Sequence, residues 1–256
     1  MNYPKIAAQL YTIRDFCKTS QDIRESLKRV KQIGYDAVQV SGIGPIGHEE
    51  MKEFAEEAGL VICATHIGFD RIKDQIDDVI KQHKLWNCKY VGVGGMPIEY
   101  RDSGEGFKAF AKEASKYARI LKDNGLQFIY HNHSFEFQKF NGVTGMDILF
   151  EESDPEVFQF ELDTYWVQHG GADPVYWIDK VAGRMDVVHF KDMVILNNKQ
   201  EQFFAEIGEG NLNWKGITEA CARANVKWAA VEQDRCRRDP FESLAISRKN
   251  LKDMGL

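Results

Sequence analysis

Apolar and polar residues follow one another along this chain in a repeated order that is typical of a protein built from helices and strands. A stretch with an amphipathic helical pattern ends at Gly or Asn, and four to six apolar or β-branched residues follow it. The clearest stops are Gly34, Gly59, Asn87, Gly125, Gly183 and Asn225. Gly and Asn accept the left-handed conformation with which many helices end, so each repeat predicts a helix followed by a strand.

The pattern predicts eight strands, each followed by a helix. The predicted strands are Ile6–Tyr11, Ala37–Val40, Val61–Thr65, Tyr90–Val93, Gln127–His131, Phe158–Leu162, Val187–Phe190 and Trp228–Glu232. The predicted helices are Ser20–Ile33, Gly47–Ala58, Arg71–Leu85, Gly106–Asn124, Gly145–Glu152, Pro174–Val181, Leu212–Ala224 and Pro240–Met254. This arithmetic predicts an α/β fold, a (β/α)8 TIM barrel in a single domain of residues 1–256. An open doubly wound sheet is the competing fold, but no G-x-G-x-x-G motif follows the first strand.

The longest predicted loop, Val194–Gly210, follows the seventh strand, at the end of a barrel where active sites lie. Its last residues, IGEG, carry two glycines shortly before the helix at Leu212, as phosphate-binding loops do. Glu206 and Glu209 belong to the same segment and would repel an anion. We therefore expect a tight loop over the mouth of the barrel rather than a phosphate site.

Four predicted strands end abruptly in ionisable side chains, in the stretches YHNH, FELD, VHFKD and VEQD. Such groups are costly at a buried strand end unless they are paired or bound to a metal. Because the carboxyl ends of barrel strands meet at one mouth, we expect His131, Asp163, His189 and Glu232 to hold one divalent ion. Two imidazoles and two carboxylates suit Mn, Zn, Co or Fe and leave Mg open. A single His or Glu at a strand end is more often structural, so the argument depends on all four together.

The composition limits the classes of binding partner and the cellular compartment that we expect for this protein. The net charge of −6 argues against a nucleic-acid surface and an anionic membrane surface. Five widely spaced cysteines without a C-x-x-C pair favour free thiols in a reducing compartment. The first residues lack a signal-peptide pattern, and no apolar stretch approaches the ~20 residues that span a bilayer. We expect a cytoplasmic protein with no nucleic-acid or membrane partner, and the sequence leaves open whether it forms a homo-oligomer.

Motifs along nearly the whole chain resemble those of the xylose-isomerase-like TIM-barrel superfamily, in its branch of sugar phosphate isomerases and epimerases. These motifs are AAQLYTIRD, YDAVQVSG, THIGFD, YHNHSFEF, FELDTYWVQHGGADP, VHFKDM, IGEGNLNW and VEQD. The resemblance implies a divalent metal in the barrel mouth, with Asp163, His189 and Glu232 as ligands by position. Ketose epimerases of the superfamily have a Glu on the fifth strand, where this chain has His131. In those epimerases that Glu and the eighth-strand Glu form the acid/base pair, so His131 departs from the epimerase pattern. The histidines at the end of the fifth strand resemble those of the inosose dehydratases instead.

The remaining polar residues near the strand ends are candidates for catalysis and substrate binding. Glu232 is the first choice for the base, with His133 or Glu136 as its counterpart. Lys191 is a candidate donor to an oxyanion, or else a counter-charge among the carboxylates, and Glu136 is a further candidate ligand or a simple loop carboxylate. Glu161 lies deeper and is also a candidate for orienting a ligand histidine. The predicted substrate-binding residues are Gln9, His66, Glu161, Trp166 and Arg235.

The function expected from these residues and from the resemblance is that of a metal-dependent isomerase or epimerase of a sugar or keto-sugar. The reaction would transfer a proton next to a carbonyl. The alternative is a dehydratase or lyase of the inosose-dehydratase type, and a non-catalytic sugar-binding barrel is a further alternative. The endonuclease IV type of the same superfamily is disfavoured by the acidic total and by the small number of histidines, seven in the chain.

Overall fold

The computed structural model describes residues 2–196 and 201–256, and it contains a barrel of eight parallel strands. The strands are Lys5–Gln9, Ala37–Val40, Val61–Ile67, Tyr90–Val93, Gln127–His131, Phe158–Glu161, Val187–Phe190 and Trp228–Val231. The eighth strand pairs with both the first and the seventh. Between the sixth and seventh strands, the barrel closes through a parallel bridge of Asp163 and His189. The predicted (β/α)8 barrel is confirmed.

Helices surround the barrel and cover its outer face. They span Ser20–Ile33, His48–Ala58, Phe69–Asp74, Ile76–Leu85, Gly104–Asp123, Gly145–Glu152, Thr164–His169, Pro174–Lys180, Trp214–Arg223 and Pro240–Asp253. Short 3-10 helices span Leu10–Phe16, Ile98–Tyr100 and Phe135–Phe137. None of the helices in the described part of the chain has the length and apolar character needed to cross a membrane. All five cysteines are free thiols.

Strand side chains alternate between the barrel interior and the layer of helices, as the two-residue period of a strand requires. In the second strand, for example, Ala37 belongs to the interior cluster, while Val38 and Val40 belong to the large cluster beneath the helices. The interior cluster contains the small side chains of Ala7, Ala37, Ala64 and Ala230. Two residues further along these strands the interior becomes polar, as at Gln9, Gln39 and Glu232. This change from apolar to polar layers positions the candidate site.

The glycine and asparagine stops behave as predicted. Gly34, Gly59, Asn87, Gly125, Gly183 and Asn225 all have positive φ angles, between 50° and 106°. The helix predicted for Arg71–Leu85 is instead two helices, because Gln75 leaves the helical region at φ −136°. The first strand ends at Gln9 rather than Tyr11, since the chain turns directly into a 3-10 helix that Gln9 caps.

Two structures above the barrel mouth differ from the sequence prediction. Where the sequence predicted a loop over Val194–Gly210, Asp192–Ile195 pairs with Gln202–Ala205 as an antiparallel hairpin that begins two residues before that segment, and residues 197–200 lie outside the described part. The helix Thr164–His169 follows the sixth strand and was not predicted. Asp163 caps this helix by accepting a hydrogen bond from the backbone N–H of Trp166 at 2.9 Å. Both elements contribute side chains to the mouth.

Candidate metal centre and active site

The four predicted metal ligands meet at the carboxyl ends of the fifth to eighth strands. Atoms of His131, Asp163, His189 and Glu232, one from each side chain, all lie within 4.8 Å of one another. All four side chains are buried, with exposures of 0–4%. An ion with ligand distances of ~2.0–2.2 Å separates opposite ligands by at most ~4.4 Å, so a small contraction would let one ion bind all four. The donor set of two imidazoles and two carboxylates therefore fits a single divalent ion.

Hydrogen bonds turn one atom of each ligand towards the centre of this cluster. The ring of His131 has Nδ1 at 3.3 Å from the carbonyl oxygen of Gly94, which leaves Nε2 to face Asp163 Oδ2 at 3.2 Å. Asp163 uses its other oxygen as the helix cap, so Oδ2 is the one that points inward. His189 Nδ1 lies 3.0 Å from Glu232 Oε2 and 3.8 Å from Asp163 Oδ2. The backbone and the helix cap thus preset the ligand geometry.

A second polar layer lies beneath the ligands and fixes the ring of His189. His189 Nε2 lies 2.7 Å from Gln39 Oε1, and Gln39 Nε2 donates to Glu161 Oε1 at 2.8 Å. Glu161 also contacts His66 Nε2 through its other oxygen, at 2.5 Å. Because Gln39 can accept the Nε2 proton, the Nδ1 lone pair of His189 becomes available to a metal. Glu161 therefore lies where it can orient both histidines, and its side chain is fully buried.

Lys191 lies inside the cluster rather than at its edge. Its side chain is 0% exposed, and Nζ contacts Glu232 Oε2 at 2.8 Å, Asp234 Oδ1 at 3.0 Å and Asp163 Oδ2 at 3.2 Å. The hydroxyl of Thr164 accepts from the Lys191 backbone N–H at 3.0 Å and donates to its carbonyl oxygen at 2.8 Å. Three carboxylates thus compensate this buried ammonium, as burial requires.

The pKa shifts in the cluster follow from burial and from these contacts. Burial alone would lower the pKa of His189, but Glu161 and Glu232 raise it to about 10. Burial and the neighbouring His189 hold the pKa of His131 well below its usual range. Burial would raise the pKa of Glu232, but Lys191 and His189 bring it well below its ordinary value. A metal ion binding at Nδ1 of His189 would therefore have to displace a proton.

A cavity of about 1230 Å³ opens onto the cluster. His131 and Glu232 form part of its wall, as do Asp234 and the rings of Trp166 and Phe204. Its volume exceeds the usual range for small-molecule sites, ~300–1,000 Å³, and accommodates a sugar. The cavity is also lined by four arginines, Arg14, Arg101, Arg235 and Arg237. Among the described residues, none of these four forms an ion pair with a carboxylate.

His133 and Glu136 occupy different environments. His133 lines the cavity, and its Nδ1 has no hydrogen-bond partner among the described residues. Burial lowers its pKa to about 3, so the ring is neutral at physiological pH. Glu136 is fully buried, accepts hydrogen bonds from the Tyr130 hydroxyl at 2.7 Å and the His133 backbone N–H at 2.9 Å, and does not line the cavity. Burial raises its pKa to about 7. Glu136 therefore lies behind His133 and supports the loop that carries it.

The predicted substrate-binding residues are divided between the cavity wall and the layer beneath it. His66, Trp166 and Arg235 line the cavity, and the buried indole nitrogen of Trp166 has no partner among the described residues. Gln9 is fully buried and does not line the cavity; its oxygen accepts from the Tyr11 backbone N–H at 3.2 Å. Glu161 lies in the same deeper layer.

Asp234 and Gln39 are site residues to which the sequence analysis gave no role. Asp234 lies two residues beyond Glu232, and strand alternation places both on the same face, so the spacing in VEQD was an available signal. Gln39 lies near the end of its strand, as the predicted ligands do, but its side chain is an uncharged amide and was therefore not identified as a candidate. Asn132 belongs here too, since its side-chain oxygen accepts from the Asp163 backbone N–H at 3.1 Å.

The chain is similar in sequence to curated proteins described as inosose dehydratases. Over 168 residues the chain is 27% identical to an inosose dehydratase of Clostridium tetani (strain Massachusetts / E88). The aligned region covers 58% of this chain and 55% of that protein. The chain thus spans little more than half the length of the curated relatives it matches.

Solved structures share the fold over almost the whole chain. A sugar phosphate isomerase/epimerase from Parabacteroides distasonis ATCC 8503 aligns with a TM-score of 0.80 and 22% identity, covering 98% of this chain and 94% of that one. A D-allulose 3-epimerase from Methylomonas sp. aligns with a TM-score of 0.74 and 12% identity, covering 99% of both chains. The family model described as xylose isomerase-like TIM barrel matches residues 27–253. The chain therefore belongs to the xylose isomerase-like TIM barrel family.

Proposed function

We propose that this protein is a metal-dependent isomerase of a sugar or keto-sugar that transfers a proton next to a carbonyl. The observation that carries the proposal is the convergence of His131, Asp163, His189 and Glu232 beside a cavity of sugar size. A divalent ion held by these residues would polarise the substrate carbonyl and stabilise the charge that develops when the neighbouring proton leaves. The similarity to a sugar phosphate isomerase/epimerase and to an inosose dehydratase supports the same class of chemistry.

Glu232 is the base in this proposal. It lines the cavity, and its Oε2 contacts His189 at 3.0 Å and Lys191 at 2.8 Å. None of the hydrogen bonds of the described residues reaches its Oε1, which is therefore the oxygen left to accept a substrate proton. General-base catalysis by a positioned carboxylate contributes ~10²–10⁴-fold to a rate.

The site favours reactions in which one base works on one face of the substrate. Glu136, the carboxylate that could have acted opposite Glu232, is locked behind His133 and does not reach the cavity. His133, the other candidate counterpart, is a weak base, because burial lowers its pKa to about 3. Epimerisation with two opposed bases is therefore disfavoured relative to isomerisation. In isomerisation Glu232 would take the proton from one carbon and deliver it on the same face to the former carbonyl carbon, while the hydroxyl proton passes between the two oxygens.

Dehydration is the second candidate, because the curated relatives that the chain matches are inosose dehydratases. The first step is the same removal of a proton by Glu232. The outcome differs because the hydroxyl on the next carbon leaves as water, with the carboxylic acid of Glu232 that forms in the first step as proton donor. In both reactions Trp166, His66 and Arg235 would bind substrate hydroxyls from the cavity wall.

Incubation of the manganese-loaded protein in D₂O with a panel of ketoses, inososes and 3-keto-glycosides tests the proposal. Isomerisation predicts deuterium at the carbon next to the carbonyl and an aldose–ketose mixture, whereas dehydration predicts an unsaturated product and released water. Glu232→Gln should lower either rate by at least ~10²-fold. Protein with bound metal that exchanges no proton with any member of the panel would refute the proposal in favour of a sugar-binding barrel.

A further inference from the structure

The ammonium of Lys191 contacts the same carboxylate oxygens that face the centre of the metal cluster. Nζ lies 2.8 Å from Glu232 Oε2 and 3.2 Å from Asp163 Oδ2. His189 Nδ1 approaches these two oxygens at 3.0 and 3.8 Å. A divalent ion among the ligands would need the same oxygens and would repel the ammonium at this short distance. Lys191 and a metal ion therefore compete for Asp163 and Glu232.

The third partner of Lys191 lies outside the ligand cluster. Asp234 Oδ1 is 3.0 Å from Nζ, and Asp234 lines the cavity. On the same side, the rings of Trp166 and Phe204 have their centres 5.4 and 5.3 Å from Nζ, distances at which an aromatic face attracts an ammonium. An ammonium that leaves the two ligand carboxylates thus has an anion and two aromatic rings to receive it at the cavity wall.

We propose that Lys191 is a built-in competitor of the metal ion, and that Asp234 receives its ammonium when the ion binds. In the absence of metal, Lys191 neutralises the buried ligand carboxylates and so stabilises the empty site. When metal binds, the ammonium stays with Asp234 and moves towards the cavity, where it can meet an oxygen of the substrate. The pair of Lys191 and Asp234 thereby sets the affinity of the site for metal. This inference depends on the metal site of the proposed function.

Two substitutions distinguish this role from a structural one, because they should change metal affinity in opposite directions. Lys191→Met removes the competitor and should lower the Kd for Mn²⁺ at least about tenfold. Asp234→Asn removes the anion that receives the ammonium and should raise that Kd at least about tenfold. A merely structural Lys191 would weaken metal binding in both variants, since each would disturb the same ion-pair network.

The measurement is titration of the protein with MnCl₂, monitored by calorimetry and checked by competition with a chelator. Lys180→Met is the matched control, because Lys180 also pairs with a carboxylate, Asp147 at 2.5 Å, but is not part of the ligand cluster. It should leave the Kd unchanged. Thermal melts give a second measurement: Lys191→Met should melt below the wild type without metal and should gain more than the wild type when Mn²⁺ is added.

The outcomes separate this inference from the proposed function. If the wild type binds Mn²⁺ and exchanges substrate protons, but Lys191→Met binds Mn²⁺ no more tightly, only the competitor role of Lys191 is refuted. If neither the wild type nor either variant binds a divalent ion, both proposals are refuted. If Lys191→Met does not fold, the effect of Asp234→Asn decides, because unchanged or tighter Mn²⁺ binding in that variant contradicts the role given to Asp234.

Discussion

Asp192 is the residue whose substitution should most disturb the loop over the barrel mouth. Its buried carboxylate accepts five hydrogen bonds, two of them from the glycines of IGEG, the segment that resembles a phosphate-binding loop, so the protein's own anion fills that cradle. A Cβ on Gly210 would lie 2.3 Å from Asp192 Oδ1, which explains the glycine there. The donors, at 2.6–3.3 Å, are the backbone N–H groups of Met193, Gly208, Gly210 and Leu212 and the indole N–H of Trp214.

The size of the effect of Asp192→Ala follows from what happens to these donors. Gly208 is exposed, so water can replace the carboxylate there, whereas Trp214 is buried and its indole N–H would be left without a partner. One buried unpaired donor costs ~1–3 kcal/mol, and a hydrogen bond to a charged group contributes ~1.5–3 kcal/mol. Burial raises the pKa of Asp192 even with these donors, so removing the carboxylate recovers part of the cost of burying it. We expect a net loss of about 2–4 kcal/mol.

Thermal and urea unfolding of Asp192→Ala and the wild type check this estimate. For a domain of this size the loss corresponds to a decrease in Tm of about 4–16 °C. Asp179→Ala is the control, because Asp179 pairs with Arg223 on the exposed surface and its loss should leave Tm nearly unchanged. A Tm for Asp192→Ala within about 1 °C of the wild type would show that the loop does not depend on this carboxylate.

Three further predictions concern the metal, the pH and the polar layer beneath the ligands. Mn²⁺ at 100 times its Kd should stabilise the fold by about 2.7 kcal/mol in thermal melts, and His189→Gln should abolish this stabilisation. Melting curves that coincide with Mn²⁺ and with chelator would contradict the metal site. Burial lowers the pKa of His83 from 6.5 to about 4, so its neutral ring contributes fully to stability above pH 6.5. As the pH falls to 4, the free energy of unfolding should decrease by about 3 kcal/mol. Urea titrations should show the stability advantage of the wild type over His83→Gln shrinking across that window, and a constant difference would refute the assignment. Gln39→Glu places a second carboxylate 2.8 Å from Glu161 and should cost about 2–4 kcal/mol in urea unfolding, whereas Gln21→Glu on an exposed helix should cost little.

The order of elements could be predicted from the sequence because six of the eight predicted helices are separated from the next strand by a Gly or Asn suited to the left-handed conformation. Those stops, Gly34 to Asn225, adopt positive φ angles in the structure. The elements above the mouth could not be predicted in the same way. The hairpin of Asp192–Ile195 and Gln202–Ala205 and the helix Thr164–His169 are short. Their stability depends on tertiary contacts, such as the cap by Asp163, more than on local periodicity.

Strand alternation indicated which residues face the barrel interior, but it could not give their depth or partners. Lys191 and His189 share a face in the sequence, and this left Lys191 either as an oxyanion donor to the substrate or as a counter-charge among the carboxylates. Its ammonium lies inside the ligand cluster with no exposure, because carboxylates from the ends of the sixth and eighth strands surround it. Such a contact set is a property of the closed barrel and of no single strand.

Charge balance accounts for two neutral residues at this mouth, His131 and Gln39. A Glu in place of His131 would add an anion beside Asp163, whose Oδ2 is 3.2 Å from the His131 ring. The ammonium of Lys191 is already shared by Asp163, Glu232 and Asp234, and the protonated ring of His189 is shared by Glu161 and Glu232, so a further carboxylate would add an unbalanced negative charge until metal bound. Gln39 likewise contributes a neutral amide beside Glu161. Both neutral residues limit the number of buried anions, and this keeps the ligand cluster stable before metal binds.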